Sequence, residues 1–164
     1  HHRSSAASDV YKRQPEGREE EVVTRLSRVG DDTTLGFLQG GIDAWRAAGK
    51  GVGTVEDITA DQLADRMETE LDILDVRKPG EFSGEHIDGA VNLPLDYIND
   101  NMDKIEDGKT YHLHCAGGYR SVIFASILKA RGYHNLVNVL GGWTAIEKVD
   151  RIPRTDFLCP STLK

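Results

Sequence analysis

Five apolar runs of strand length, separated by stretches with helical spacing, most constrain the fold of this chain. The runs occupy residues 55–58, 71–76, 90–93, 110–115 and 136–140. Helical patterns lie between and after them, and the clearest covers residues 120–131. Strands that alternate with helices pair in parallel, with helices on both faces of the sheet. The sequence therefore predicts a three-layer α/β/α domain with a mainly parallel five-stranded sheet.

Charge and composition exclude several classes of function. The 164 residues carry a formal net charge of −7 and a pI near 5.3, so nothing in the global charge attracts nucleic acid or an anionic membrane. No apolar run approaches the roughly 18 to 20 residues of a membrane span, and the N-terminus lacks the apolar core of a secretory signal. The two cysteines are too few for a disulfide framework. We therefore expect a cytoplasmic protein with neither a nucleic-acid partner nor a membrane partner.

A short pattern occurs twice in the chain. Residues 26–30, an apolar stretch and Gly40-Gly41 resemble residues 128–132, a second apolar stretch and Gly141-Gly142, and a tryptophan follows each glycine pair. The pattern predicts that residues 15–50 are a truncated α-β-α copy of the unit that closes the main domain, unless two ordinary segments agree by chance. The predicted organisation is a leader (1–14) that is disordered or not native, this remnant (15–50), a catalytic domain (51–150) and a tail (151–164). The apolar residues of the remnant should pack on the catalytic domain or pair two chains as a homodimer.

The candidate chemistry lies in the segment Cys-Ala-Gly-Gly-Tyr-Arg-Ser, residues 115–121. Cys115 ends a strand, and the small residues after it lead into a helix, so its sulfur should lie at a helix N-terminus. Gly117 and Gly118 can adopt backbone angles that turn successive amides inward around the sulfur. Such amides, together with Arg120, favour the thiolate and make Cys115 a candidate nucleophile. The alternative is a buried structural cysteine that ends a strand.

Several ordered motifs around this segment resemble those of the rhodanese-like superfamily. The resemblance spans residues 55–149 and rests on Asp-Val-Arg at 75–77, Glu-Phe at 81–82, His-Ile-Asp-Gly-Ala at 86–90 and Asn-Leu-Pro at 92–94. It also includes the Cys115 segment as the active-site loop and Gly-Gly-Trp at 141–143 as the closing motif. The resemblance implies a rhodanese-like fold and sulfur transfer without a cofactor.

The same resemblance implies roles for individual residues. Cys115 would take the outer sulfur of thiosulfate or a persulfide and pass it to cyanide, glutathione or another thiol by a ping-pong mechanism. The loop amides would cradle the persulfide, Arg120 would attract an anionic substrate, and Ser121 would either donate to the sulfur or cap the helix. Tyr119 would line the mouth of the site. The loop and substrate-binding residues are then Ala116, Gly117, Gly118, Tyr119, Arg120 and Ser121, and the supporting residues are Asp75, Arg77, Glu81 and His86.

Other functions remain alternatives to sulfur transfer. Phosphatases of this superfamily have a cysteine loop one residue longer, whereas Cys115 to Arg120 is six residues. A phosphatase or arsenate reductase, and a non-catalytic sulfur relay or binding module, are therefore the second and third hypotheses. The paired units also resemble the C-terminal part of proteins that fuse a metallo-β-lactamase-like persulfide dioxygenase to rhodanese domains.

Three side-chain arrangements carry expectations of their own. Arg77 and Glu81, four residues apart across a helix start, should form an ion pair. His112 and His114 share one face of a strand, but no third ligand accompanies them, so we expect no metal site. Cys159, in the tail, should be a bystander thiol.

Overall fold

The computed structural model describes residues 17–18, 20–21, 23–24 and 38–155 of the chain. The predicted leader, most of the first predicted helix and strand, and Cys159 lie outside these residues. The described chain divides between Thr54 and Val55 into two compact units.

Within the described residues 38–54 of the first unit lies a short helix, α1 (Gly41–Ala47), where the sequence predicts a helix from the glycine pair to about Gly49. None of the α1 residues is buried. The indole Nε1 of Trp45 donates a hydrogen bond to the carbonyl oxygen of Gly51 at 2.8 Å.

The two glycine pairs of the repeated pattern have nearly the same backbone conformation. Gly40 and Gly41 have φ values of 76° and 56°, and Gly141 and Gly142 have 74° and 53°. All four therefore lie in the left-handed region that favours glycine. The two copies of the sequence pattern therefore also share a backbone conformation at their glycine pairs. That residues 15–50 are a truncated copy of the unit stays a prediction.

The second unit is built on a five-stranded parallel sheet, which confirms the predicted architecture. Its strand order is β1-β5-β4-β2-β3, and every adjacent pair is parallel. The strands are β1 (Glu56–Ile58), β2 (Asp72–Asp75), β3 (Val91–Asn92), β4 (Tyr111–His114) and β5 (Leu136–Val139). Because all five run in one direction, the loops that follow them meet along one edge of the sheet.

Helical segments connect these strands and follow the last of them. They are α2 (Ala60–Arg66), α3 (Pro79–Gly84), a 3₁₀ segment (Leu95–Lys104), α4 (Tyr119–Ala130) and α5 (Gly142–Ile146). The sequence predicts Thr59 as the cap of the helix after the first strand, and the structure confirms it: the Thr59 hydroxyl accepts from the backbone amide of Gln62, whose side chain accepts from the backbone amide of Thr59. None of the described helices has the length and apolar character of a membrane-crossing segment.

Two apolar clusters cover the two faces of the sheet. The neighbours Ile73 and Leu74 belong to different clusters, as the alternation of side chains along a strand requires. One cluster includes Leu113, Cys115 and Phe124, so the candidate nucleophile begins its loop directly from packed core. His114 points to the opposite face and is also fully buried. The loop after β4 therefore starts from a fully buried strand.

Candidate active site

Cys115 lies at the mouth of a tight turn between β4 and α4. Its side chain is only 1% exposed. The amide of Gly118 donates a hydrogen bond to Sγ at 3.1 Å. Gly118 is the N-cap of α4 and has φ 94°, a conformation that other residues rarely adopt. The structure therefore brings the sulfur to the start of α4, against a backbone N–H group.

Ser121 is the second hydrogen-bond donor near the sulfur. Its buried hydroxyl oxygen lies 3.6 Å from Cys115 Sγ and 3.2 Å from the carbonyl oxygen of Gly118. One hydroxyl proton can go to either acceptor. The alternative role as a helix cap is wrong, because α4 begins at Tyr119 and its N-cap, Gly118, provides no side chain. Ser121 sits in the first turn and donates inward.

The carbonyl groups of the loop are held by the start of α5. The amide of Trp143 donates to the Cys115 carbonyl at 2.7 Å, and the amide of Thr144 donates to the Ala116 carbonyl at 3.0 Å. The Thr144 hydroxyl also donates to Ala116, at 3.2 Å. The Gly-Gly-Trp motif is visible in the sequence, but its contact with the loop and the part played by Thr144 are not. The glycine pair is the sequence feature that could have indicated this contact, since close backbone contact needs a residue without a Cβ atom.

Arg120 does not point freely into the loop but forms a two-pronged ion pair with Glu81. Its guanidinium nitrogens lie 2.7 and 2.8 Å from the two carboxylate oxygens. The hydrogen bonds from Arg120 hold the pKa of Glu81 at about 2, well below its usual range. The predicted pair of Arg77 with Glu81 is therefore wrong. The four-residue spacing fails because α3 begins only at Pro79, so Arg77 precedes the helix.

Arg77 instead pairs with Asp75 inside the protein. Both side chains are buried, and the guanidinium donates to the carboxylate at 2.6 Å and to the carbonyl of Glu85 at 2.7 Å. Its central carbon lies 4.3 Å from the ring centroid of Trp143. The buried pair thus lies directly against the residue whose amide holds the Cys115 carbonyl.

Two further side chains border this buried pair. Asn92 donates from Nδ2 to the carbonyls of Asp75 and Arg77, at 2.9 and 3.0 Å, a tie between β3 and the end of β2 that the sequence did not reveal. The Nε2 atom of His114 lies 3.7 Å from Asp75 Oδ2, and burial lowers the pKa of His114. His114 is therefore neutral beside the loop.

His86 makes contacts with its own neighbourhood rather than with the sulfur. Its ring stacks on Phe82 at a centroid distance of 3.7 Å, and Nδ1 lies 2.8 Å from the Phe82 carbonyl oxygen. Its amide donates to the Thr155 hydroxyl at 3.1 Å. These contacts tie α3 to the end of the described chain.

The remaining residues that the sequence singles out lie either in the turn after Cys115 or on β4. Tyr119 is 55% exposed, on the first turn of α4, and Ala116 and Gly117 complete the turn after Cys115. His112 is buried on β4 with a pKa lowered by burial. Among residues 38–155 and the short described pieces before them, no three His, Cys, Asp or Glu side chains are grouped as a metal would require.

This chain is similar to known proteins in sequence and in fold. An uncharacterized protein of Bacillus subtilis, YqhL, is 37% identical over 71 residues, which cover 43% of this chain and 56% of that protein. A protein of Allochromatium vinosum named sulfurtransferase is 30% identical over 90 residues, which cover 54% of this chain and 84% of that protein. The crystal structure of a rhodanese-like domain protein from Staphylococcus aureus has a TM-score of 0.54 at 34% identity, covering 56% of this chain and 91% of that one.

The length of chain that matches a family model decides which family the chain belongs to. The chain spans about half the length of several curated relatives that it matches. The family model described as a rhodanese-like domain matches residues 59–148, which is more than half of the chain and includes the whole Cys115 loop. This chain therefore belongs to the family of rhodanese-like domains.

Proposed function

We propose that this protein is a sulfurtransferase in which Cys115 carries the transferred sulfur as a persulfide. The observation that carries the proposal is the Gly118 amide, which donates to Cys115 Sγ at 3.1 Å from the N-cap of α4. Such a donor stabilises negative charge on the sulfur, both in the thiolate and in the persulfide. The A. vinosum relative that bears the name sulfurtransferase supports the same reading.

The loop backbone is suited to hold one extra sulfur atom. The Cys115 and Ala116 carbonyl oxygens are bound by the amides of Trp143 and Thr144, so both oxygens already have hydrogen-bond donors. The Ser121 hydroxyl, 3.6 Å from Sγ, is a second donor on the sulfur side. A new anionic sulfur bonded to Sγ would therefore meet N–H and O–H groups.

The chemistry balances without a cofactor. In the first half-reaction, the Cys115 thiolate attacks the outer sulfur of the donor and the donor's S–S bond breaks. Thiosulfate leaves as sulfite and an organic persulfide leaves as a thiolate, while the new S–S bond on Cys115 forms the persulfide. In the second half-reaction, cyanide or a thiolate attacks the outer sulfur and Cys115 leaves as the thiolate, a ping-pong scheme. The resemblance to proteins that fuse a persulfide dioxygenase domain to rhodanese domains favours glutathione as the acceptor. This part of the proposal includes a persulfide dioxygenase domain upstream of the rhodanese-like domain.

Two features of the loop weigh against a phosphatase. A phosphatase loop needs an arginine that grips phosphoryl oxygens, but Arg120 is engaged through both terminal nitrogens by Glu81. The six-residue span from Cys115 to Arg120 also encloses less space than the longer phosphatase loop. A sulfur relay remains the nearest alternative, since it uses the same persulfide and differs only in turnover.

Intact mass spectrometry after incubation with thiosulfate tests the proposal. We expect the protein to gain the mass of one sulfur atom, to lose it on addition of cyanide, and to gain none in Cys115→Ser. Thiocyanate formed in many turnovers distinguishes an enzyme from a relay. A protein that gains no sulfur from thiosulfate or from a persulfide, and that hydrolyses an aryl phosphate, would overturn the proposal.

A further inference from the structure

The charge of Arg120 is the feature that the proposed mechanism leaves unused. Arg120 is the cationic side chain of the loop itself, and a dianion such as thiosulfate would bind more strongly beside an unpaired guanidinium. In the structure both of its terminal nitrogens face the Glu81 carboxylate, at 2.7 and 2.8 Å. Two hydrogen bonds in the fork geometry fix the guanidinium in one orientation as well as neutralising it.

Glu81 is itself held in place for this contact. Its Oε2 atom accepts from the Lys78 amide at 3.0 Å, in the first turn of α3, while the same carboxylate binds Arg120. The pKa of Glu81, lowered to about 2, keeps the carboxylate charged at every physiological pH. The loop arginine is therefore neutralised throughout that range.

The other charged groups that support the loop are also balanced. Arg77 is paired with Asp75 inside the protein, and burial keeps His114 neutral. With a thiolate on Cys115, this part of the site carries net negative charge. A dianionic donor is repelled more than a donor of lower charge, and the two described donors to the sulfur, the Gly118 amide and the Ser121 hydroxyl, are uncharged.

We propose that Glu81 sets the donor preference of this site. By binding Arg120, it removes positive charge from the rim of the loop, so that sulfane-sulfur donors of low charge, organic persulfides and thiosulfonates, react in preference to the thiosulfate dianion. The inference rests on the proposed function and narrows its substrate class. Glu81 is a positioning residue in this scheme, since it acts through Arg120 and touches no reacting atom.

A pair of donors that differ in charge provides the test. Thiosulfate is a dianion that leaves sulfite, and methanethiosulfonate is a monoanion that leaves methanesulfinate, and each passes its outer sulfur to Cys115. The readout is kcat/KM for each donor, with cyanide as acceptor, at low and high ionic strength. Glu81→Gln is the central variant, because an amide can still accept from the Lys78 amide while the carboxylate charge is lost.

We expect Glu81→Gln to raise kcat/KM for thiosulfate by about three- to tenfold, mainly through KM, and to raise it less for methanethiosulfonate. The difference between the donors should shrink at high salt. In Glu81→Gln with Arg120→Gln, the selective gain should disappear. Glu85→Gln is the matched control, because Glu85 follows the same helix and lies 3.4 Å from Arg154 in another ion pair; it should leave the donor ratio unchanged.

The possible failures are distinct. If Glu81→Gln changes both donors by the same factor, lowers thiosulfate activity selectively, or keeps its gain without Arg120, the inference is overturned while the proposed function stands. If the unmodified protein gains no sulfur from either donor, the proposed function fails, and this inference fails with it. Thermal melting of each variant identifies a change that merely reflects unfolding.

Discussion

Gly142 lies so close to the backbone of Cys115 that a Cβ atom at position 142 would come within 2.3 Å of the Cys115 carbonyl oxygen. It would also meet the Ala116 carbonyl oxygen at 2.9 Å. The missing side chain is what allows the next two amides, of Trp143 and Thr144, to reach those carbonyls. The start of α5 therefore shapes the loop through backbone contact.

Gly142→Ala should damage both stability and sulfur transfer. The methyl group adds a backbone clash to the strain of φ 53°, so we expect a loss of about 3 kcal/mol or more in the free energy of unfolding, measured with urea. Gly108→Ala is the control, because Gly108 has φ 82° but open space around it. It should cost only the strain, about 1 kcal/mol, and leave activity intact. Equal losses in the two variants would contradict the contact.

Ser121→Ala should slow formation of the Cys115 persulfide by about three- to tenfold, since one of two donors near the sulfur is removed. The rate of sulfur gain, followed by rapid quench and mass spectrometry, measures this. Stability should fall by about 1 kcal/mol, because the hydrogen bond to the Gly118 carbonyl is also lost. A rate equal to that of the unmodified protein would show that the hydroxyl serves only the helix.

Breaking the buried Asp75–Arg77 pair should be costly. Asp75→Asn leaves the Arg77 guanidinium buried without its counter-ion, so we expect a loss of about 3 to 5 kcal/mol in the free energy of unfolding. Arg77→Met should cost a similar amount, and the double variant should cost less than the sum of the two. Arg151→Ala removes an exposed pair with Asp65 and is the control; because solvent screens that pair, the variant should change stability far less. Additive losses at positions 75 and 77 would argue against direct coupling.

Stability should fall as the pH decreases below about 6.5, the ordinary pKa of histidine in an unfolded chain. Burial lowers the pKa of His112 and His114 in the folded protein, so between that value and the folded pKa the unfolded chain binds protons that the folded chain does not. Each group contributes a slope of at most about 1.4 kcal/mol per pH unit. Stability from these groups is thus complete above pH 6.5 and lost on acidification.

Urea unfolding between pH 5 and 8 measures this slope. His114→Gln should flatten the slope, whatever its effect on absolute stability, because one proton-binding difference disappears. His112→Gln should flatten the slope in the same way. An unchanged slope in His114→Gln would contradict the prediction.

Local patterns in the sequence were enough to predict the elements of the second unit. The apolar run at residues 71–76 became β2, the Thr59 cap began α2, and the Cys-Ala-Gly-Gly segment became the turn between β4 and α4. Boundaries shifted by a few residues where an end is set by its contacts: the sequence predicts the last helix over residues 142–149, whereas α5 ends at Ile146. Periodicity and turn residues act over a few positions, so they can be read from the chain directly.

The sequence by itself determined that a cysteine follows a buried strand and precedes a helix with two glycines between them. Only the tertiary structure decided which charges surround that cysteine. Arg120 binds Glu81, 39 residues away, and Arg77 turns inward to Asp75 instead of pairing along the helix. The strand order places the end of β2 beside the end of β4, which no local pattern encodes. The strength of an ion pair depends on the distance between the two charges in space. For residues far apart in the chain, that distance is set only when the strands assemble into the sheet.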